Sequence, residues 1–207
     1  QLAGATLLDA NLSRADLYGA NLNRTNLRGN NFRGAELYSA TLIYSDLSNA
    51  DLRDTDMCAV KLSGSTLIGT NLENANLSQA DLTGVNLSNA NLSQSNLSNV
   101  ILSGAILEKT ILRDAELMFA YIINSNLSGA VLRMANLSGA TIIGTNLNGT
   151  DLRMANFSNA NLINVDLTSA QMNGVILDGA NLERAKISET QILGLTSAKN
   201  TKFPAKS

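Results

Sequence analysis

Side chains able to do chemistry are scarce in this sequence, and those that recur keep a fixed interval. There is no histidine among the 207 residues, which removes the commonest general acid–base group and metal ligand. Cys58 is the one cysteine. Alone it can make neither an internal disulfide nor a multi-cysteine metal site, and with no imidazole to activate it an unpaired surface thiol is expected. No glycine-rich phosphate loop and no Ser-His-Asp set is present. What does recur is arginine at intervals of twenty: Arg33, Arg53, then Glu73 and Ser93, then Arg113, Arg133 and Arg153. Such a row could dock an acidic partner, unless Asp51, Asp54, Asp114 and Asp151 temper it into a solvated face. Ile123, Ile143 and Ile163 keep the same interval. They can make a protein contact but carry no reaction.

These residues are positioned by a repeat that runs through nearly the whole chain. Every fifth residue from Leu2 to Ile192 is apolar, 39 centres in all, of which 31 are Leu. The others are Phe32, Met57, Ile122, Ile142, Phe157, Met172, Ile187 and Ile192. Two residues before each centre stands a small residue, Ala at 21 of 38 positions, with Asn30 the one amide. Asn or Asp usually comes just before the centre, as in Asn11, Asp16, Asn21 and Asn26. A period of five fits neither the 3.6 of a helix nor the 2 of a strand. An α-helix would spread these leucines around its whole surface. A chain that turns a corner every five residues points the small residue and the Leu inward and the other three outward. Aromatics are 4% of the residues, so the core must be aliphatic. Asn30, pointing inward, needs an internal hydrogen bond.

Tandem units such as Ala10-Asn11-Leu12-Ser13-Arg14 and Ala15-Asp16-Leu17-Tyr18-Gly19 resemble the pentapeptide repeat family. In their Asn-Leu-Ser-rich style they resemble its cyanobacterial members. The likeness extends over residues 1–192. It implies an all-β fold: a right-handed quadrilateral parallel β-helix with four pentapeptides per coil, about ten coils at the usual strand spacing. The expected organisation is a β-helix over 1–192 and a C-terminal cap and loose tail over 193–207. Ser197 breaks the period, Leu193 and Leu195 could fold over the last coil, and residues 199–207 read as the tail.

With twenty residues per coil, the outside can be read as columns. Arg33, Arg53, Arg113, Arg133 and Arg153 become a cationic ladder. Ile101, Tyr121, Ile123, Ile143 and Ile163, with Met134 and Met154, become a candidate protein-contact site. Ile106, Ile111 and Val131 break the Asn/Asp preference on adjacent faces. Tyr18 and Tyr38 stack as a structural pair. The seven Asn-Leu-Ser triplets are by-products of the repeat and carry no weight as glycosylation acceptors.

The functional expectation is a non-enzymatic scaffold that offers flat faces to another protein, with no cofactor and no metal. The alternative carried by the family is a DNA mimic that binds DNA gyrase. That role uses a strongly acidic rod, whereas residues 1–192 carry 12 basic against 17 acidic groups. A net charge of −2 for the chain argues against nucleic acid as a partner. No apolar run is long enough to span a membrane. A monomer or a weak end-to-end oligomer is expected. No compartment is legible beyond a leaning to the cytoplasm, or to the periplasm or thylakoid lumen if a signal peptide has been removed.

Overall fold

The computed structural model describes residues 3–205. Leu2, the first expected centre, and Lys206 lie outside the described residues. The chain winds as a parallel solenoid in which each residue just before a centre pairs with the residue twenty further on. Asn11 pairs with Asn31, Asn31 with Asp51 and Asp51 with Asn71, and the register continues to Asp166↔Lys186. Four pentapeptides therefore make one coil. The ladder bonds run both ways, as in Leu12 N–H to Asn31 O at 2.7 Å and Asn31 N–H to Ala10 O at 2.9 Å.

Pairing is confined to single residues over most of the rod because the chain bends after each centre. The two continuous strands among the described residues are β1 (Tyr121–Ile123) and β2 (Thr141–Ile143), which pair in parallel. Extended Ile123 and Ile143 pair directly.

The repeat centres share one dry interior. Leu52, Met57 and Leu62 are fully buried, as are Phe32 and nearly every centre from Leu22 to Leu182. The small position is buried too in most repeats, and where it holds Ser or Thr the hydroxyl in most cases finds a carbonyl of a centre. Ser45 Oγ donates to Leu22 O at 2.7 Å, Thr110 Oγ1 to Leu87 O at 2.8 Å and Thr145 Oγ1 to Ile122 O at 2.6 Å. Without these bonds each buried hydroxyl would be costly. Asn30 accepts the Ala10 N–H at 2.8 Å through Oδ1, while its buried Nδ2 has no partner.

Most corners are four-residue turns closed from the small residue back to the preceding centre, as in Ala35 N–H to Phe32 O at 2.8 Å. The third residue of the turn has a positive φ, near 57° at Arg14, Tyr44 and Phe119 alike. From Gly4 to Gly194 this position never holds Ile, Val or Thr, the side chains that tolerate such a φ least. Asn, Asp and Gly fill most of it. Where a large residue does occupy a corner, Gly often stands at the same corner one coil on. A Cβ added at Gly139 would lie 2.5 Å from the Phe119 ring, and one at Gly64 would lie 2.4 Å from the Tyr44 ring.

The Asn/Asp preference before each centre has a bonding cause. Its side-chain oxygen accepts the N–H two residues on, as in Ser13 N–H to Asn11 Oδ1 at 3.1 Å and Ser88 N–H to Asn86 Oδ1 at 3.0 Å. That N–H takes no part in the backbone ladder, so the side chain satisfies a donor that would otherwise need water.

The C-terminal end departs from expectation. Helix α1 (Glu189–Leu193) opens with a capping box between Ser188 and Gln191, and Gln191 Nε2 donates to the carbonyls of Leu167 and Ala170 at 2.6 and 2.9 Å. Leu193 is 86% exposed and covers nothing, while Leu195 and Ala198 pack against the core. The ladder then resumes with a register of twenty-one: Ile176 pairs with Ser197 and Asn181 with Lys202. Residues 197–202, expected in part as a loose tail, are thus paired. The helix inserts one residue, which moves the next centre from 197 to Ala198. Thr201 takes the small position and donates to Leu177 O at 2.7 Å.

Candidate protein-contact surface

The twenty-residue register decides which candidate residues meet. Ile101 pairs with Tyr121, Tyr121 with Thr141, and Ile123 with Ile143; Thr141↔Asn161 brings Ile163 into the same column one coil on. Ile101 and Tyr121 are 41% and 50% exposed. Ile123, Ile143 and Ile163 are half-buried, each flanked by the coils above and below. The result is a strip of aliphatic and aromatic surface along one face.

Met134 and Met154 do not belong to that strip. Each lies eleven residues beyond Ile123 or Ile143, about half of a twenty-residue coil, at the corner next to Arg133 and Arg153. Both are exposed corner residues with positive φ, and the Met154 side chain rests over Gly174. The expected single patch is therefore two strips on different sides of the rod, because a side chain's face is set by its place within the coil. Ile106 and Ile111, both 39% exposed, lie on the two faces between them and beside them. Tyr18 and Tyr38 stack with ring centroids 5.5 Å apart and planes 13° apart. Cys58 is half-buried and unpaired.

The arginine column is not uniform. Arg33 Nε reaches Asp54 at 3.1 Å. Arg53 is clamped by Asp51, with Nε to Oδ1 at 2.8 Å and a second nitrogen to Oδ2 at 2.6 Å, and Arg153 is held by Asp151 at the same two distances. In both pairs the side-chain hydrogen bond from arginine is the main cause that holds the aspartate below the ordinary carboxylate value. Arg113 and Arg133 have no ion pair among the described residues. Their preceding ladder positions are Ile111 and Val131 rather than Asp. The sequence offered that signal, an apolar residue two before the arginine, but its meaning depends on seeing what aspartate does at the same place.

Among the described residues no group of three or more His, Cys, Asp or Glu could hold a metal ion, and no helix is long and apolar enough to cross a membrane.

A core filled by five-residue repeats, parallel pairing at a twenty-residue register and flat outer columns define a pentapeptide β-solenoid. The family model for pentapeptide repeats matches residues 1–34, 35–74, 75–114, 115–153 and 155–190. The chain belongs to the pentapeptide repeat family. Among solved structures it resembles HetL, a pentapeptide repeat protein involved in heterocyst differentiation regulation from the cyanobacterium Nostoc sp. strain PCC 7120. The two are 31% identical over 96% of this chain and 83% of that one, with a TM-score of 0.38. It is 34% identical to the pentapeptide repeat protein Rfr23 from the cyanobacterium Cyanothece 51142, covering 67% of this chain and 90% of that one, with a TM-score of 0.30. A trypsin-treated form of QnrB1, a plasmid-mediated fluoroquinolone resistance protein, shares the fold at 20% identity and a TM-score of 0.53, over 96% of this chain and 89% of that one. No curated protein matches the chain.

Proposed function

We propose that the protein is a non-enzymatic interaction scaffold: a right-handed, four-sided rod of about ten coils at ordinary strand spacing that presents flat faces to a protein partner. The observation that carries this reading is the strip from Ile101 and Tyr121 through Ile123, Ile143 and Ile163. There the rod gives up its Asn/Asp preference at Ile101 and Tyr121 and exposes apolar surface. Contiguous apolar surface of this kind marks a contact site, and the interior of the described residues is filled by side chains. The gyrase-binding alternative is not advanced, because the cationic column interrupts the rod's acidic charge.

The test is the triple variant Ile123→Ser, Ile143→Ser, Ile163→Ser. Its circular dichroism spectrum should match wild type, because only half-buried outward groups change. Cross-linking and affinity capture with the two proteins as bait should show an association that the variant loses. If every association survives the triple change, the strip is not the contact site.

A further inference from the structure

The arginine column contains its own picture of the ligand it takes. At Asp51–Arg53 and Asp151–Arg153 one carboxylate collects three donors: the arginine backbone N–H at 3.2 Å, Nε at 2.8 Å and a terminal nitrogen at 2.6 Å. The two constellations have the same distances a hundred residues apart, so the arrangement follows from the coil geometry. From Ser13 to Arg153 the column's backbone N–H groups are each held by the Asn or Asp two residues before, at Ser13, Arg33, Arg53, Glu73, Ser93 and Arg153. Arg113 and Arg133 are the exceptions. Ile111 and Val131 supply no oxygen, and neither the backbone N–H nor the guanidinium of either arginine has a hydrogen-bond or ion-pair partner among the described residues. Ile111 pairs with Val131, so the two open donor sets sit one above the other, about 4.8 Å apart along the rod. No carboxylate closes them: Asp151, which also feels the charge of Arg133, accepts its side-chain hydrogen bonds from Arg153 and makes its ion pair there, and Asp114, at the corner after Arg113, makes no ion pair among the described residues.

We infer that Arg113 and Arg133 form a docking site for an acidic peptide segment of a partner protein, whose Asp or Glu side chains supply the carboxylates that Ile111 and Val131 do not. Carboxylate held by a guanidinium fork together with a backbone N–H is a strong, geometrically specific bond. Aliphatic Ile111 and Val131 would line the base of the site and exclude water from it. The site lies about half a coil from the isoleucine strip, so it adds a charge-selective contact on a different side of the rod.

The test measures binding of fluorescein-labelled hexaglutamate by anisotropy at low salt. The wild-type protein should bind, and Ile111→Asp with Val131→Asp, which supplies the missing internal carboxylates, should weaken binding by about tenfold or more. Arg113→Ala with Arg133→Ala should do the same and serves if the first variant fails to fold. Ser138→Asp with Ser158→Asp adds equal charge to another face and should stay within about twofold of wild type. On titration the backbone amide resonances of Arg113 and Arg133 should move most. The inference is overturned if wild type does not bind hexaglutamate, if the two Ser→Asp changes weaken binding as much as the refill, or if those two amides do not move. The Ile123, Ile143 and Ile163 triple-Ser protein should bind hexaglutamate normally, so failure of either site leaves the other standing.

Discussion

Three polar residues set measurable properties of the rod. Asn30 occupies a position that Ala holds in most repeats, and its buried Nδ2 lacks a partner. Asn30→Ala removes that group, and Ala10 can return to the turn bond its counterparts make. The variant should be about 1 kcal/mol more stable, since a buried unsatisfied polar group costs roughly 1–3 kcal/mol. A lower urea midpoint would mean that Nδ2 is satisfied after all. Asp51 and Asp151 give the second expectation. Both are held below the ordinary value of 3.8 by their arginines. A lowered folded-state value contributes stability that is fully present above 3.8 and is lost as pH falls through the folded value. Wild type should therefore lose thermal stability below about pH 4 more steeply than Asp51→Asn with Asp151→Asn, with little difference in steepness at pH 7. At this scale much was legible: an unpaired cysteine, no histidine chemistry, and the oddity of Asn30. The division of the arginine column into clamped and open members was not, because it rests on what an aspartate two residues before the arginine does once the coil has formed.

Corners and the terminal helix decide how the elements join. Nearly every corner has a positive φ, so the corner glycines separate two costs. A Cβ at Gly84 would meet nothing within 4 Å, whereas one at Gly139 would strike the Phe119 ring. Gly84→Ala should destabilise by about 1–2 kcal/mol, the backbone cost alone. Gly139→Ala should cost more, and Phe119→Ala in the same chain should remove the excess. Equal midpoints for the two single variants would show that the ring swings away freely. At the other end, Gln191 ties α1 to the carbonyls of Leu167 and Ala170. Gln191→Ala should destabilise by about 1–3 kcal/mol through the two lost bonds, and amides 194–203 should exchange faster. An unchanged exchange pattern would mean that the ladder beyond α1 holds without the helix. The absence of β-branched residues from the corner column was a readable sign of these turns. The one-residue insertion was not readable, since a phase shift of one looks like the end of a repeat until the chain is seen to pair again at Ser197 and Lys202.

Over the whole molecule each coil touches only its neighbours, so stability is close to one-dimensional. Leu7, Leu12 and Leu17 in the first described coil are only partly buried, while the centres of the middle coils are fully so. Hydrogen exchange should therefore be fastest in the first described coil and slowest in the middle coils such as 82–122, with a gradient between them. Uniform protection along the rod would indicate all-or-none unfolding instead. The same geometry places the isoleucine strip and the arginine column on different sides of the rod.

The amino-acid pattern by itself determined that centres five apart share one dry interior, because a backbone that bends every five residues keeps apolar side chains of that period on its inner side. It also determined the arginine and isoleucine columns once the family's coil length was adopted. Tertiary structure alone decided that Met134 and Met154 stand half a coil from the isoleucines, that Arg113 and Arg133 lack carboxylates, and that the coil resumes after α1. The physical reason is that burial is written in residue type, whereas which outward groups face each other depends on the backbone's path around a full turn.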